Sequence, residues 1–258
     1  MKLKPLLACF TALVLAFMYA PLAVLIAQSF NTSKYIGVWK GFTLEWYFRL
    51  TGDYEVLEAT FNGLAVATLS ALISTLLGGI AGYYFSRYSR SGVADSLLYV
   101  PIVIPEIVEA VSLLMLYVAL NVELGFWTVL IGHIAYNISY SYLAIKPQFE
   151  MTPHSLEEAA INLGATPIEA FLKVLLPLAT PGIISSVLIT FSMSFDDFVK
   201  TLFTTGPGFK TLPLVIWIRA ARARATPELN ALASIMVAIS LLSSYIYTRY
   251  LLEAKKEK

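Results

Sequence analysis

The sequence predicts an all-α protein that crosses a membrane several times, and three observations predict it. Six stretches are apolar over about the 20 residues that a helix needs to cross a bilayer: 6–30, 60–87, 97–120, 126–145, 176–198 and 231–250. Of 258 residues only 14% are charged and 58% are hydrophobic, against about a quarter charged in a soluble domain. The connections gather the turn residues, with Gly37, Gly41 and Gly52 in 31–59 and Gly206, Pro207, Gly208 and Pro213 in 201–230.

Taken in order, the first stretch follows Lys2 and Lys4 and runs apolar from Leu6 to Ala27. That is longer than the apolar core of a cleaved leader, and no small-x-small site ends it, so a retained span is expected. Cys9 lies in it; one cysteine forms no intrachain disulfide and no cysteine-cluster metal site. Trp39 and Trp46 in the connection that follows suit the headgroup level. The second stretch holds Gly78, Gly79 and Gly82, whose spacing suits close helix packing. The third carries Pro101, Pro105, Glu106 and Glu109, and the fourth Asn137, Ser139 and Ser141, which predict that it faces protein rather than lipid. His133 and His154 have no metal-like or triad-like setting and read as structural. With both termini inside, ten of the 18 basic residues are cytoplasmic, a weak preference for that orientation. Lys200, Arg219, Arg222 and Arg224 then fall in the last outer loop, the arginines against a partner or in the interface. A single transmembrane domain over 1–258 is expected.

A formal net charge of +1 gives nucleic-acid binding no electrostatic support. There is no Gly-x-x-x-x-Gly-Lys-Ser/Thr phosphate loop, so no ATP site of that kind is expected in this chain.

The most informative segment is 153–177. Pro153 and Ser155 open a helix, with Ser155 and Glu158 spaced as a capping box. Ala159, Ala160 and Leu163 give it an apolar side, and Gly164 ends it. Thr166 or Pro167 opens a second helix, and Pro177 and Pro181 fall where the fifth stretch starts. A short cytoplasmic helix with an apolar face is covered either by the membrane surface or by a partner's groove.

Glu158-Ala159-Ala160, then Gly164, then Val174-x-Leu176-Pro177 resembles the EAA motif of ABC importer permeases. Pro101-Ile-Val-Ile-Pro105-Glu106, Phe191-Ser-Met-Ser-Phe-Asp196-Asp197, Gly206-Pro207-Gly208 and Thr226-Pro-Glu228 are similar to the spermidine/putrescine branch of that family, the PotC-like type, except that Glu106 stands where aspartate is expected. The resemblance covers nearly the whole chain. It implies a type I importer permease fold of six transmembrane helices in the inner membrane. It also implies a coupling helix carrying Glu158, Ala159, Ala160 and Gly164, with Pro177 beyond it, that docks on a cytoplasmic ATPase. The implied partners are a second, similar permease, a dimer of ATPases using ATP and Mg, and an extracytoplasmic solute-binding protein. The chain itself binds no cofactor and is no enzyme on this reading.

Carboxylates within apolar stretches cost about 2.5–3.5 kcal/mol to insert, so Glu106, Glu109, Asp196 and Asp197 must face a polar cavity, a cation or a partner. The functional expectation is a path for a cationic solute lined by these four, with Trp46 as an aromatic near the outer mouth. The alternatives are a structural role for the carboxylates, a permease for another small solute, and an ion-coupled secondary transporter using Glu106 and Asp197.

Overall fold

The computed structural model describes residues 3–33, 38–88, 92–222 and 226–254. Lys2, Lys34, Gly37, Arg90, Arg224 and the C-terminal lysines, used above for connections and orientation, lie outside them. The helices in order are α1 (Leu3–Ser29), α2 (Glu45–Thr51), α3 (Tyr54–Arg87), α4 (Gly92–Leu97), α5 (Val100–Val103), α6 (Glu106–Ala119), α7 (Phe126–Met151), α8 (His154–Asn162), α9 (Pro167–Ala170), a π-helical turn (Phe171–Leu175), α10 (Leu176–Phe195), α11 (Val199–Thr204), α12 (Leu212–Arg222) and α13 (Pro227–Ala254). Among the described residues four stretches of helix, Lys4–Ser29, Tyr54–Arg87, Pro167–Phe195 and Pro227–Ile246, are long and apolar enough to cross a membrane.

Two of the expected spans differ from the expectation. The stretch 97–120 is not one helix. Ile104, held extended (φ −68°, ψ 133°) by the proline that follows, separates α5 from α6. The fifth span begins earlier than expected, because α9, the π turn and α10 are continuous. In the π turn the N–H of Leu176 reaches the carbonyl of Phe171; the next residue, Pro177, has no N–H to donate.

The chain forms two compact units, 1–58 with 215–239, and 59–214 with 240–258. The first is organised around Asn31. Its amide donates to Gln28 Oε1 (2.9 Å) and the Val38 carbonyl (2.8 Å), and its Oδ1 accepts from the N–H groups of Ser33 and Lys40. Trp46, buried, donates from Nε1 to the Asn31 carbonyl at 2.8 Å, and Phe30 stacks between Phe42 and Tyr47. In the same unit Arg219 meets Asp53 (2.7 Å), Glu55 (2.9 Å) and Glu228 (3.6 Å). Arg219, expected in an outer loop, is therefore paired within the chain. Its burial pulls the guanidinium down, and the Glu55 and Asp53 carboxylates outweigh that and hold it above its ordinary range.

The second unit is built on α7. Asn137, Ser139 and Ser141 are buried, as their placement in an apolar stretch predicts. Ile145 and Phe149 pack against Leu175 and Ala179, with Tyr83 and Phe171 on the flank. The backbones meet where side chains are missing. A Cβ on Gly78 would stand 2.5 Å from the Ser141 Cβ, and one on Gly182 would stand 2.8 Å from the Ala144 carbonyl oxygen. Such contacts, with the Ser70–Ser194 (2.9 Å) and Thr75–Ser186 (2.8 Å) hydroxyl bonds, are what hold helices together where lipid removes the hydrophobic drive.

Candidate functional site: a capped turn and a buried ion cluster

The segment 153–177 folds as a helix, a glycine turn and the start of a long helix. α8 begins at His154 after Pro153, with no side-chain cap. The expected Ser155–Glu158 capping box is not formed, because the helix starts two residues earlier, with Pro153 in the cap position, and Ser155 lies inside it. The C-terminal end matches expectation. Gly164 has φ +95°, Ala165 N–H reaches the Ala160 carbonyl at 3.0 Å and Gly164 N–H the Ile161 carbonyl at 2.9 Å. These two bonds are a Schellman motif, whose left-handed residue favours glycine. Thr166 caps α9: its Oγ1 accepts from the Glu169 N–H, and Glu169 Oε2 accepts from the Thr166 N–H at 3.0 Å. The Lys173 ammonium lies 2.9 Å from the other Glu169 carboxylate oxygen.

The apolar residues of this turn point outward. Glu158, Ala159 and Gly164 are exposed, Leu163 is 89% exposed and Ile168 71%. Sequence reasoning passed over Glu157. It is buried, accepts from Tyr83 Oη at 2.9 Å and lies 3.4 Å from Arg87 Nε. Arg87 donates in turn to the Thr152 carbonyl at 3.0 Å. The Arg87–Glu157 pair is an ion pair without an aligned hydrogen bond, since Nε and Oε2 satisfy no bond geometry. Glu157 thus ties α8 to the end of α3. Glu157→Ala is expected to leave the Arg87 charge without its partner and to destabilise the protein by about 3 kcal/mol. Glu157→Gln, which retains an acceptor for Tyr83, should cost less than half of that; thermal unfolding in detergent ranks the two.

The second cluster lies among α6, α7 and α11, where α11 packs on both of the others. Glu106 and Glu109 form the first turn of α6, a favourable place for negative charge. Lys200 on α11 is buried. Its Nζ lies 2.6 Å from Glu106 Oε1, 2.8 Å from Asp197 Oδ2 and 3.9 Å from the centre of the Tyr136 ring. Asp197, also buried, accepts from the Thr201 N–H at 3.0 Å and lies 3.4 Å from His133 Nε2. His133 Nδ1 is 2.6 Å from Ser194 Oγ, and its Nε2 is 3.1 Å from Thr201 Oγ1. Glu109 is half-buried, and its Oε2 has no hydrogen-bond partner among the described residues.

The structure therefore brings Glu106, Glu109 and Asp197 together and places Lys200, expected in the outer loop, in their midst. Asp196 is exposed and accepts from Ser240 Oγ at 2.8 Å. Trp46 belongs to the other unit, buried, with the Arg49 guanidinium 5.1 Å from its ring centre. Lys200 had a signal that went unread: it follows Asp197 by three residues, the spacing of an ion pair on one helix face.

Long apolar helices accompany a capped, outward-facing turn and a buried charged cluster among α6, α7 and α11. The chain matches the model of the family described as "Binding-protein-dependent transport system inner membrane component" over residues 74–254. It is 35% identical over 234 residues to the spermidine/putrescine transport system permease protein PotC of Haemophilus influenzae, covering 90% of this chain and 91% of that one. It is 33% identical over 251 residues to the putrescine transport system permease protein PotI of Escherichia coli K12, covering 94% and 89%. A bacterial ABC transporter structure, involved in import of the acidic polysaccharide alginate, aligns with a TM-score of 0.72 at 14% identity, covering 96% of each chain. The MetNI methionine ABC transporter aligns at 0.61 and 18% identity, covering 75% and 93%. The chain belongs to the binding-protein-dependent transport system inner membrane component family, a family of transport subunits of ABC systems rather than enzymes, and it is a multi-pass membrane protein.

Proposed function

We propose that this chain is the permease subunit of an ATP-driven importer of polyamines, spermidine or putrescine, and forms half of the translocation path. On this reading 1–258 works as one transmembrane domain with six crossings: α1, α3, α4 to α6 together, α7, α9 to α10, and α13. Both termini are cytoplasmic. A second, homologous permease completes the path, and an extracytoplasmic binding protein delivers the solute. A dimer of cytoplasmic ATPases uses ATP and Mg, and α8 is the coupling helix that meets it.

The observation that carries the reading is the exposed turn between α8 and α9. A short helix ending in a left-handed glycine, with Leu163 and Ile168 uncovered beside Glu158 and Ala159, fits a groove in a partner. Behind it, the continuous helix Pro167–Phe195, which includes Pro177, joins that turn to the membrane interior, and Glu157 ties α8 to α3. A push on the turn thus has a mechanical route into two spans. The near full-length similarity to polyamine permeases supports the solute. Among the proposed path residues, Asp196 and Glu106 are accessible. Asp197 and Trp46 are buried and shape the path, and Glu109 lies between.

The test is reconstitution of the complete complex in proteoliposomes. Uptake of labelled spermidine or putrescine should require ATP on the ATPase side and the binding protein on the other. Uptake driven by a proton gradient without ATP would overturn the reading in favour of an ion-coupled carrier.

A further inference from the structure

We propose that Lys200 is a tethered ammonium seated in the cation site of the path, and that it sets how tightly the protein holds a solute bearing primary ammonium groups; this rests on the polyamine reading above. The seat consists of Glu106 Oε1 at 2.6 Å, Asp197 Oδ2 at 2.8 Å and the face of Tyr136 with its centre at 3.9 Å. Two carboxylates and an aromatic face are the chemistry that recognises an alkylammonium. A lysine Nζ on its four-carbon stem is, chemically, the end of a linear diamine.

The two carboxylates are not equivalent. The Asp197 side chain is 2% exposed and is fixed by the Thr201 N–H and by His133. The Glu106 side chain is 47% exposed and enters the seat from the first turn of α6. An arriving ammonium takes Glu106 from Lys200, while Asp197 keeps Lys200 neutralised. Glu109, one turn further on α6, offers a buried oxygen that lacks a partner among the described residues. Three carboxylates around one lysine leave the cluster able to accept added positive charge. The internal competitor weakens the hold on the cargo, and a path conducts only if its sites release what they bind.

The test is equilibrium binding of labelled putrescine to the detergent- or nanodisc-embedded complex of both permeases and ATPases, without the binding protein. Lys200→Met alone would leave Asp197 buried without a cation, so the informative variant is Asp197→Asn with Lys200→Met, which removes both buried charges together. Its putrescine affinity is expected to rise about tenfold, the factor that one moderate interaction contributes. Glu106→Gln should lower affinity about tenfold on the same scale. A lysine with a purely structural role would give no gain in the double variant. Unchanged or weaker binding in the intact double-variant complex overturns the proposal. Unchanged binding by Glu106→Gln, a half-exposed position whose replacement leaves the fold intact, overturns it independently. If the wild-type complex imports putrescine with ATP while these variants bind as wild type does, Lys200 alone loses its assigned role. If the wild type neither binds nor imports putrescine, the polyamine reading falls with it.

Discussion

Asp197→Asn is expected to destabilise the protein by about 3–5 kcal/mol, the usual cost of removing one member of a buried ion pair. Lys200 is buried, with Asp197 as its buried carboxylate partner at 2.8 Å, and His133 stands on the other carboxylate oxygen. An asparagine keeps an acceptor for the Thr201 N–H but takes from Lys200 its one buried ion-pair partner and leaves Glu106 as its remaining carboxylate contact. The readout is a lowered melting temperature in detergent and less assembled complex in the membrane, with uptake falling in parallel. Glu106→Gln makes the contrast. Glu106 is half-exposed and Lys200 retains Asp197, so stability should change by no more than about 1 kcal/mol, while uptake of a cationic solute falls. Equal melting temperatures for wild type and Asp197→Asn would refute the buried-pair account. A Glu106→Gln variant that unfolds like Asp197→Asn would show instead that the two acids play one role.

Gly164→Val is expected to reduce ATP-dependent uptake by more than about tenfold, which corresponds to roughly 1.4 kcal/mol, with the fold otherwise intact. The reason is conformational and not steric. Nothing lies within 4 Å of a Cβ at Gly164, but φ is +95°, where a β-branched residue costs about 1–3 kcal/mol. Valine should therefore unwind the Schellman turn and move Leu163 and Ile168 relative to each other. Asparagine adopts the left-handed region more readily, so Gly164→Asn should retain more uptake than Gly164→Ala, and Gly164→Ala more than Gly164→Val. ATP hydrolysis by the complex, measured with uptake, separates loss of docking from loss of transmission. An order that followed side-chain volume instead would refute the conformational explanation.

The legible parts of the sequence were those governed by local chemistry. Long apolar runs gave α1, α3, α10 and α13. Gly164 after Ala159 and Ala160 gave the end of α8, the Gly78/Gly82 spacing gave the close approach of α3 to α7, and buried polar residues gave the inward face of α7. What stayed hidden depends on pairs that the fold alone makes. Lys200 and Glu106 are 94 residues apart, and Tyr83 and Glu157 are 74 apart. No periodicity announces such partners. Lys200 therefore read as one more loop cation and Glu157 as a bystander to Glu158. The break between α5 and α6 within 97–120 was signalled by Pro105, yet the hydropathy of the whole stretch masked it. The continuity of α9 with α10 was masked the other way, since Pro177 suggests a start where the helix only loosens.

That loosened turn, Phe171–Leu175, makes the long helix tolerant of length in one place only. A π turn holds one more residue than an α turn does for nearly the same advance. Losing a single residue there would restore ordinary α-helix and leave α10 facing the same neighbours. The same loss further along, near Ser185, would swing everything beyond it by about 100°, one residue's share of a 3.6-residue turn, and turn Gly182's contact on α7 and Thr190's contact with Asn137 out of phase with each other. The rod is thus keyed along α10 and slack at the end that carries the Thr166 turn, like a shaft with one flexible joint.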